Sequence, residues 1–168
     1  DWKQAGEVLP SDLSAIQNYP KAIRAQMALM FAEIDLRNAR VPDAQKNLDM
    51  LKPELKTLRP GYIAAWNYLV GELERQKGHA DKATEYWDSL VKNGKDDLFR
   101  AKAGLSLTKL QIEQKKLSSE QAINRLEGLR YAWRGDELET LINYRLGQLY
   151  IENKDYLKGL TVLRNAAT

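Results

Sequence analysis

The segment "INYRLGQLYIENKDYLKGLTVLRNA", residues 142–166, contains two short apolar stripes separated by the polar residues 152–155. Glycines stand at positions 147 and 159, where the inner face of a helix would ordinarily carry bulk. Two amphipathic stripes joined by a polar turn predict a helical hairpin. The apolar residues at helical spacing are Ile142, Leu146, Leu149 and Tyr150, followed by Tyr156, Leu160 and Leu163.

The second half of this pattern occurs three more times, in residues 32–51, 71–90 and 110–129. A small residue opens each second helix, namely Ala44, Ala83, Ala122 and Gly159, with spacings of 39, 39 and 37 residues. Four residues later stands a large apolar residue, Leu48, Trp87, Leu126 or Leu163, and three further on Leu51, Leu90, Leu129 or Ala166. A small residue lets two helices approach, and the large one fills the groove. The repeat therefore predicts stacked helical hairpins.

The periodicity and capping signals predict helices over 21–39, 43–58, 62–77, 80–93, 97–116, 119–133, 137–153 and 155–167. Ser118 and Gln121 have the spacing of a capping box. Residues 1–20 form a lead-in with a short helical turn over 11–18, and residues 21–168 form one repeat domain. Its repeats are 21–58, 62–93, 97–133 and 137–167. The apolar residues Leu157, Leu160 and Val162 of the last helix have no further helix predicted to pack on them. We therefore expect the array to continue or this end to self-associate.

The last repeat resembles a tetratricopeptide repeat in Leu146-Gly147, Tyr150, Gly159, Leu163 and Ala166. In the second repeat the matching residues are Gly71, Gly78, Ala83, Trp87 and Leu90. In the first and third repeats, Ala32 and Leu110 occupy the position of Gly71 and Gly147. The resemblance implies an all-α, right-handed solenoid of about four antiparallel helix hairpins. It also implies that the first helices line a concave groove, through the residues Gln26, Leu29, Glu33, Tyr68, Glu72, Arg75, Leu107, Gln111, Gln114, Tyr144, Gln148 and Ile151.

Seven of these positions are the predicted partner-binding residues: Tyr68, Glu72, Arg75, Gln111, Gln114, Tyr144 and Gln148. Aromatic side chains are typical anchors of interfaces. The alternative is that the two tyrosines fill gaps between repeats. Glu33 and Glu72 stand where chaperone-tail-binding members of the family carry a basic carboxylate clamp, which argues against that class of ligand.

The composition excludes several classes of function. The net charge of +3 arises from interleaved charges without the basic stripe typical of nucleic-acid binders. No apolar run is long enough for a membrane span. The absence of cysteine excludes disulfides and thiolate metal sites, and we expect neither a metal nor another cofactor. The compartment stays open, although the lack of cysteine is compatible with a bacterial extracytoplasmic protein.

No catalytic constellation emerges from the remaining motifs. His79 is the only histidine and is predicted to be an exposed turn residue. Arg134-Gly135-Asp136 is interpreted as the end of one helix and the cap of the next, and the pairs Asp96-Asp97 and Glu137 with Glu139 as helix starts.

We therefore expect a non-catalytic protein–protein interaction module that binds a peptide or partner segment in its concave groove. A structural spacer or self-assembling segment is the first alternative. An RNA-binding helical repeat is the second, disfavoured by the 37–39-residue spacing and the missing basic stripe.

Overall fold

A computed structural model of the chain describes residues 1–10 and 14–166, and this part is helical with no β-strand. The prediction of an all-α fold is confirmed. The chain divides into two compact units, Asp1–Asp96 and Asp97–Thr168. The helices of the first unit are α1 Trp2–Glu7, α2 Ser14–Gln17, α3 Lys21–Arg37, α4 Val41–Leu51, α5 Pro60–Gln76 and α6 Ala80–Asn93, with a 3-10 helix over Lys52–Thr57. Those of the second are α7 Asp97–Glu113, α8 Ser119–Ala132, α9 Asp136–Glu152 and α10 Tyr156–Ala166.

Four long helices, α3, α5, α7 and α9, are each 17 residues long and pack against the helix that follows. The turns after them share one backbone geometry. The second turn residue has a positive φ in each case: Ala39, Gly78, Lys115 and Lys154. The N–H of the next residue then donates to a carbonyl oxygen near the helix end, at 2.8–2.9 Å. The donor and acceptor residues are Arg40 and Asp35, His79 and Glu74, Lys116 and Gln111, and Asp155 and Tyr150. Each turn thus satisfies a helix-end carbonyl that would otherwise lack a partner.

The third turn is longer than the others, and this changes the alignment of the repeats. It spans residues 114–118, whereas three residues join the other pairs. Aligning the pairs on their shared turn geometry puts Thr108, rather than Leu110, in the column of Ala32, Gly71 and Gly147. Leu105 likewise replaces Leu107 opposite Tyr68 and Tyr144. The sequence-based prediction counted the two extra turn residues as part of the helix. The predicted columns of this helix are therefore two residues too far along the chain.

Several helix boundaries also differ from the predictions. The helix predicted over 43–58 ends as an α-helix at Leu51 and continues as a 3-10 helix, because Pro53 lacks the N–H that an α-helix needs. The helix predicted over 97–116 ends at Glu113. Helix α1 was not predicted. Of the predicted turn over 11–18, residues 14–17 are helical and residues 11–13 lie outside the described residues.

The core of the first unit depends on a close approach between α5 and α6. Trp87 is fully buried, and a Cβ on Gly71 would lie 2.3 Å from its indole nitrogen, so any larger residue would displace the ring. The same nitrogen donates to the Tyr68 carbonyl at 3.1 Å. Trp66 is also buried and donates to the Leu48 carbonyl at 2.9 Å. The assignment of Trp87 to the core is confirmed.

In the second unit, α9 packs between α8 and α10. A Cβ on Gly147 would lie 2.6 Å from Leu163 Cγ, and a Cβ on Gly159 would lie 3.0 Å from the Gly147 carbonyl oxygen. The two glycines therefore let the helices approach at backbone distance. Tyr150 is buried, as predicted, and its hydroxyl donates to Glu127 at 2.9 Å. Burial and this hydrogen bond raise the pKa of Tyr150 to about 12.

Candidate interaction surfaces

The predicted partner-binding residues divide between the two compact units. Tyr68, Glu72 and Arg75 lie on α5 in the first unit and are called the α5 patch below. Tyr144 and Gln148 lie on α9 in the second unit, which also contains Gln111 and Gln114. Each unit therefore has its own candidate surface.

The α5 patch combines an aromatic ring with an ordered ion pair. Tyr68 is half-buried, with its ring centroid 6.4 Å from that of Trp87. Arg75 donates to the two carboxylate oxygens of Glu72 at 3.0 and 2.6 Å. Gln76 donates both to Glu72 at 2.9 Å and to the Leu36 carbonyl on α3 at 2.8 Å. Glu72 is therefore held in place, while Arg75 is exposed at the edge of the patch.

On α9, Tyr144 is 54% exposed, and the half-buried Gln148 accepts a hydrogen bond from Arg145 at 3.2 Å. Gln111 instead accepts from Arg125 on α8, so it is turned toward that helix. Gln114 lies in the turn after α7, and its buried Oε1 has no hydrogen-bond partner among the described residues. The binding role of both glutamines stays a prediction.

The other groove positions vary widely in exposure. Leu29 and Leu107 are buried and so contribute to the core. Gln26 is exposed, and Glu33 is paired with Arg37 at 3.1 Å. Ile151 is half-buried and lies against Gly159.

Exposed apolar side chains also occur on α9, at Leu141 and Tyr144, and on α10, at Leu157 and Leu160. Leu157 is 81%, Leu160 62% and Leu141 42% exposed. The expectation that Leu157 and Leu160 need cover agrees with this exposure, but Val162 is buried in the core. Sequence reasoning missed Leu141, although its spacing of three residues from Tyr144 matches that of Leu157 and Leu160.

Two equivalent side-chain pairs stabilise the first two turns. Arg40 reaches Asp35 at 2.6 Å, and His79 reaches Glu74 at 2.7 Å, five residues apart in both cases. Burial raises the pKa of Asp35 despite the opposing effects of Arg40 and Asn47. Burial would also raise the pKa of Glu74, but hydrogen bonds from His79 and Lys77 and the nearby lysine charges outweigh it and lower that pKa. His79 is an exposed turn residue, as predicted.

A polar cleft of about 520 Å³ lies beside the second of these pairs, between α5 and α6. It is lined by Asn67, Glu74, Lys82, Glu85, Tyr86, Ser89 and Leu90. Glu74 is already held by His79, Lys77 at 3.3 Å and Lys82 at 3.9 Å. Its carboxylate therefore serves mainly to brace the turn.

The motif Arg134-Gly135-Asp136 lies at the start of α9. Gly135 has a φ of 92°, and its N–H donates to Glu139 at 2.6 Å. The Asp136 carboxylate accepts the Leu138 N–H at 2.8 Å. This tripeptide thus has a local capping role. The capping box of Ser118 and Gln121 is confirmed.

Comparisons with known proteins find no counterpart for this chain. No family model matches it, and neither a curated protein nor a solved structure is significantly similar. In residues 1–10 and 14–166, no helix is long and apolar enough to cross a membrane. The same part of the chain contains no group of three or more histidine, aspartate or glutamate side chains arranged to hold a metal ion.

Proposed function

We propose that this chain is a non-catalytic protein–protein interaction module built from tetratricopeptide-like hairpins stacked as a solenoid. Support for the repeat comes from the four 17-residue first helices and the turn geometry that follows each of them. Stacked repeats of this kind generally bind their partners through extended surfaces.

The observation that carries the binding role is the equivalence of Tyr68 and Tyr144. Each lies eight residues after the first residue of its helix, α5 or α9, and each retains exposed ring surface. The glutamate and glutamine four residues further on, Glu72 and Gln148, supply polar groups beside the rings. Aromatic anchors with adjacent polar groups are typical of hot spots in protein interfaces.

Affinity capture with cross-linking mass spectrometry, using lysate of the source cell, tests this function. We expect a partner that cross-links along α5 and α9 and is lost when Tyr68→Ala and Tyr144→Ala are combined. The matched control is Tyr131→Ala, which truncates a tyrosine that is 77% exposed on α8. A partner that binds the double variant as well as the wild type would overturn the proposal, provided that circular dichroism shows unchanged helicity.

Self-association is a second candidate, favoured by the exposure of Leu157 and Leu160. Sedimentation velocity over a wide concentration range distinguishes it. A concentration-dependent dimer that Leu160→Asp abolishes would support self-assembly, and a strict monomer would rule it out.

A further inference from the structure

The polar cleft between α5 and α6 lies within a single helix hairpin of the first unit. Its volume of about 520 Å³ falls in the range of roughly 300–1,000 Å³ that is typical of small-molecule sites. The cleft is open to solvent, and its lining combines an aromatic ring, an apolar side chain, hydroxyls, an amide and charged groups. Such a mixture can bind a small ligand as well as solvent.

The equivalent positions of the last helix pair are buried. Helix α9 begins 76 residues after α5, and α10 begins 76 residues after α6, so Asn67 corresponds to Asn143 and Tyr86 to Val162. Asn143 is 4% and Val162 5% exposed. Asn67 and Tyr86 are half-buried and line the cleft. The opening is thus not a general property of these helix pairs but depends on the side chains of the second pair.

The aromatic wall of the cleft is fixed by the core. The ring of Tyr86 lies edge to face with that of Trp66, at a centroid distance of 6.4 Å and an interplanar angle of 72°. Trp66 is buried, and its indole N–H donates to the Leu48 carbonyl at 2.9 Å. The buried Leu90 adds an apolar group to the same lining. A wall that is ordered in advance lowers the entropic cost of binding a ligand.

The charges around the cleft balance one another. The lining contains the carboxylates of Glu74 and Glu85 and the ammonium group of Lys82, which lies 3.9 Å from Glu74. Lys77 is not part of the lining, but its ammonium group lies 3.3 Å from Glu74. A ligand with a net charge would therefore meet attraction and repulsion together. This arrangement favours a neutral ligand.

The groups available for hydrogen bonding are mainly acceptors. The Asn67 amide N–H₂ donates to the Ile63 carbonyl at 3.0 Å, which leaves the Asn67 Oδ1 as an acceptor. The Glu85 carboxylate can only accept, and the hydroxyls of Tyr86 and Ser89 can do either. Neither hydroxyl has a hydrogen-bond partner within residues 1–10 and 14–166. The matching ligand donates several hydrogen bonds without carrying a charge, which is the chemistry of a compound rich in hydroxyl groups.

From this lining we infer that the α5–α6 cleft binds a neutral saccharide. The apolar C–H face of the sugar packs against Tyr86 and Leu90, and its hydroxyls donate to Asn67 and Glu85. Ser89, which is exposed at the cleft, exchanges a further hydrogen bond with the sugar. This site goes beyond the proposed function and does not depend on it.

Saturation-transfer NMR of the full chain with maltose, cellobiose and N,N′-diacetylchitobiose tests this inference. We expect at least one of these neutral disaccharides to bind saturably at millimolar concentration. Ser89→Leu should abolish that binding because it places bulk in the cleft, and Glu85→Ala should weaken it severalfold. Tyr86→Ala should weaken it at least tenfold. The matched controls are Ser119→Leu and Tyr131→Ala, which change exposed residues of α8.

Failure of all three disaccharides to bind would overturn the inference. Binding that Ser89→Leu and Tyr86→Ala leave unchanged would also overturn it, because the sugar would then lie elsewhere. Gluconate and glucosamine, which carry a negative and a positive charge, are compared with glucose in the same experiment. Tighter binding of either one than of glucose would contradict the neutral character of the site. The proposed function is tested separately, because Tyr68 and Tyr144 are unchanged in all of these variants.

Discussion

The first and last helix pairs, α3–α4 and α9–α10, share their helix lengths and turn geometry yet differ in what surrounds them. In the first pair, Leu48 lies beneath α5 and is 1% exposed. In the last pair, the equivalent Leu163 is only partly buried, and Tyr144 and Leu160 are open. The two hairpins thus have the same backbone geometry, whereas the burial of their residues depends on the helix that packs against them.

The largest expected difference concerns the two equivalent leucines. Leu48→Ala should lower the free energy of unfolding by about 3 kcal/mol, because it leaves a cavity beneath α5. Leu163→Ala should cost about half as much, since water already reaches part of the side chain. Urea denaturation of both variants measures the difference. Equal losses would mean that the last pair is as well covered as the first.

The buried ion pair at the first turn should give the next largest effect. Arg40→Ala leaves the nearly inaccessible Asp35 carboxylate without its cation and releases the Gly6 carbonyl of α1, which Arg40 holds at 2.7 Å. We expect a loss of about 2 kcal/mol, below the range for fully buried pairs because Arg40 is itself one-third exposed. His79→Ala is the matched variant. It should cost much less, because Lys77 and Lys82 remain near Glu74.

The glycine contact in the last pair should produce a smaller change. Gly147→Ala introduces the residue that the first pair carries as Ala32, but its Cβ would lie 2.6 Å from Leu163 Cγ and 3.1 Å from the Gly159 carbonyl oxygen. Overpacking should outweigh the gain in helix propensity and leave a net loss of about 1 kcal/mol. Thermal unfolding monitored by circular dichroism measures this. A more stable variant would show that the two helices do not approach so closely.

The smallest effect is the pH dependence contributed by Glu74. Because its pKa is lower in the folded chain than in the unfolded chain, its contribution to stability is present at neutral pH and lost as the pH falls through the folded pKa. Glu74→Gln should therefore lose less stability between pH 7 and pH 3 than the wild type does. Urea midpoints across this range provide the measurement. Parallel curves for the two proteins would exclude a contribution from this carboxylate.

Much of the fold could be predicted from the spacing of small and large residues. Ala44, Ala83 and Ala122 are all fully buried, as their column in the repeat requires. The third turn could not be located in this way, because the columns of small and large residues lie in the second helices and do not show that this turn is two residues longer than the others. Helix α1 could not be predicted because it is held by residues distant in sequence. One such contact is the hydrogen bond from the Asn38 side chain to the Trp2 carbonyl.

The candidate surfaces were only partly predictable. The register of its helix places Tyr144 in a predicted groove column, but that register alone does not establish that the side chain is exposed. The direction of the Gln111 side chain could not be predicted, because it depends on a hydrogen bond from Arg125 on the neighbouring helix. Leu29 lies in the same column as Tyr144 but is buried, so exposure depended on the neighbouring helices rather than on the column.

Hydrogen–deuterium exchange of the full chain tests the difference between the first and last pairs most directly. In the free protein, amides of α10 should exchange faster than those of α4, although the two hairpins share their geometry. Equal exchange of α4 and α10 would contradict the conclusion that burial of these second helices depends on the helix packed against them.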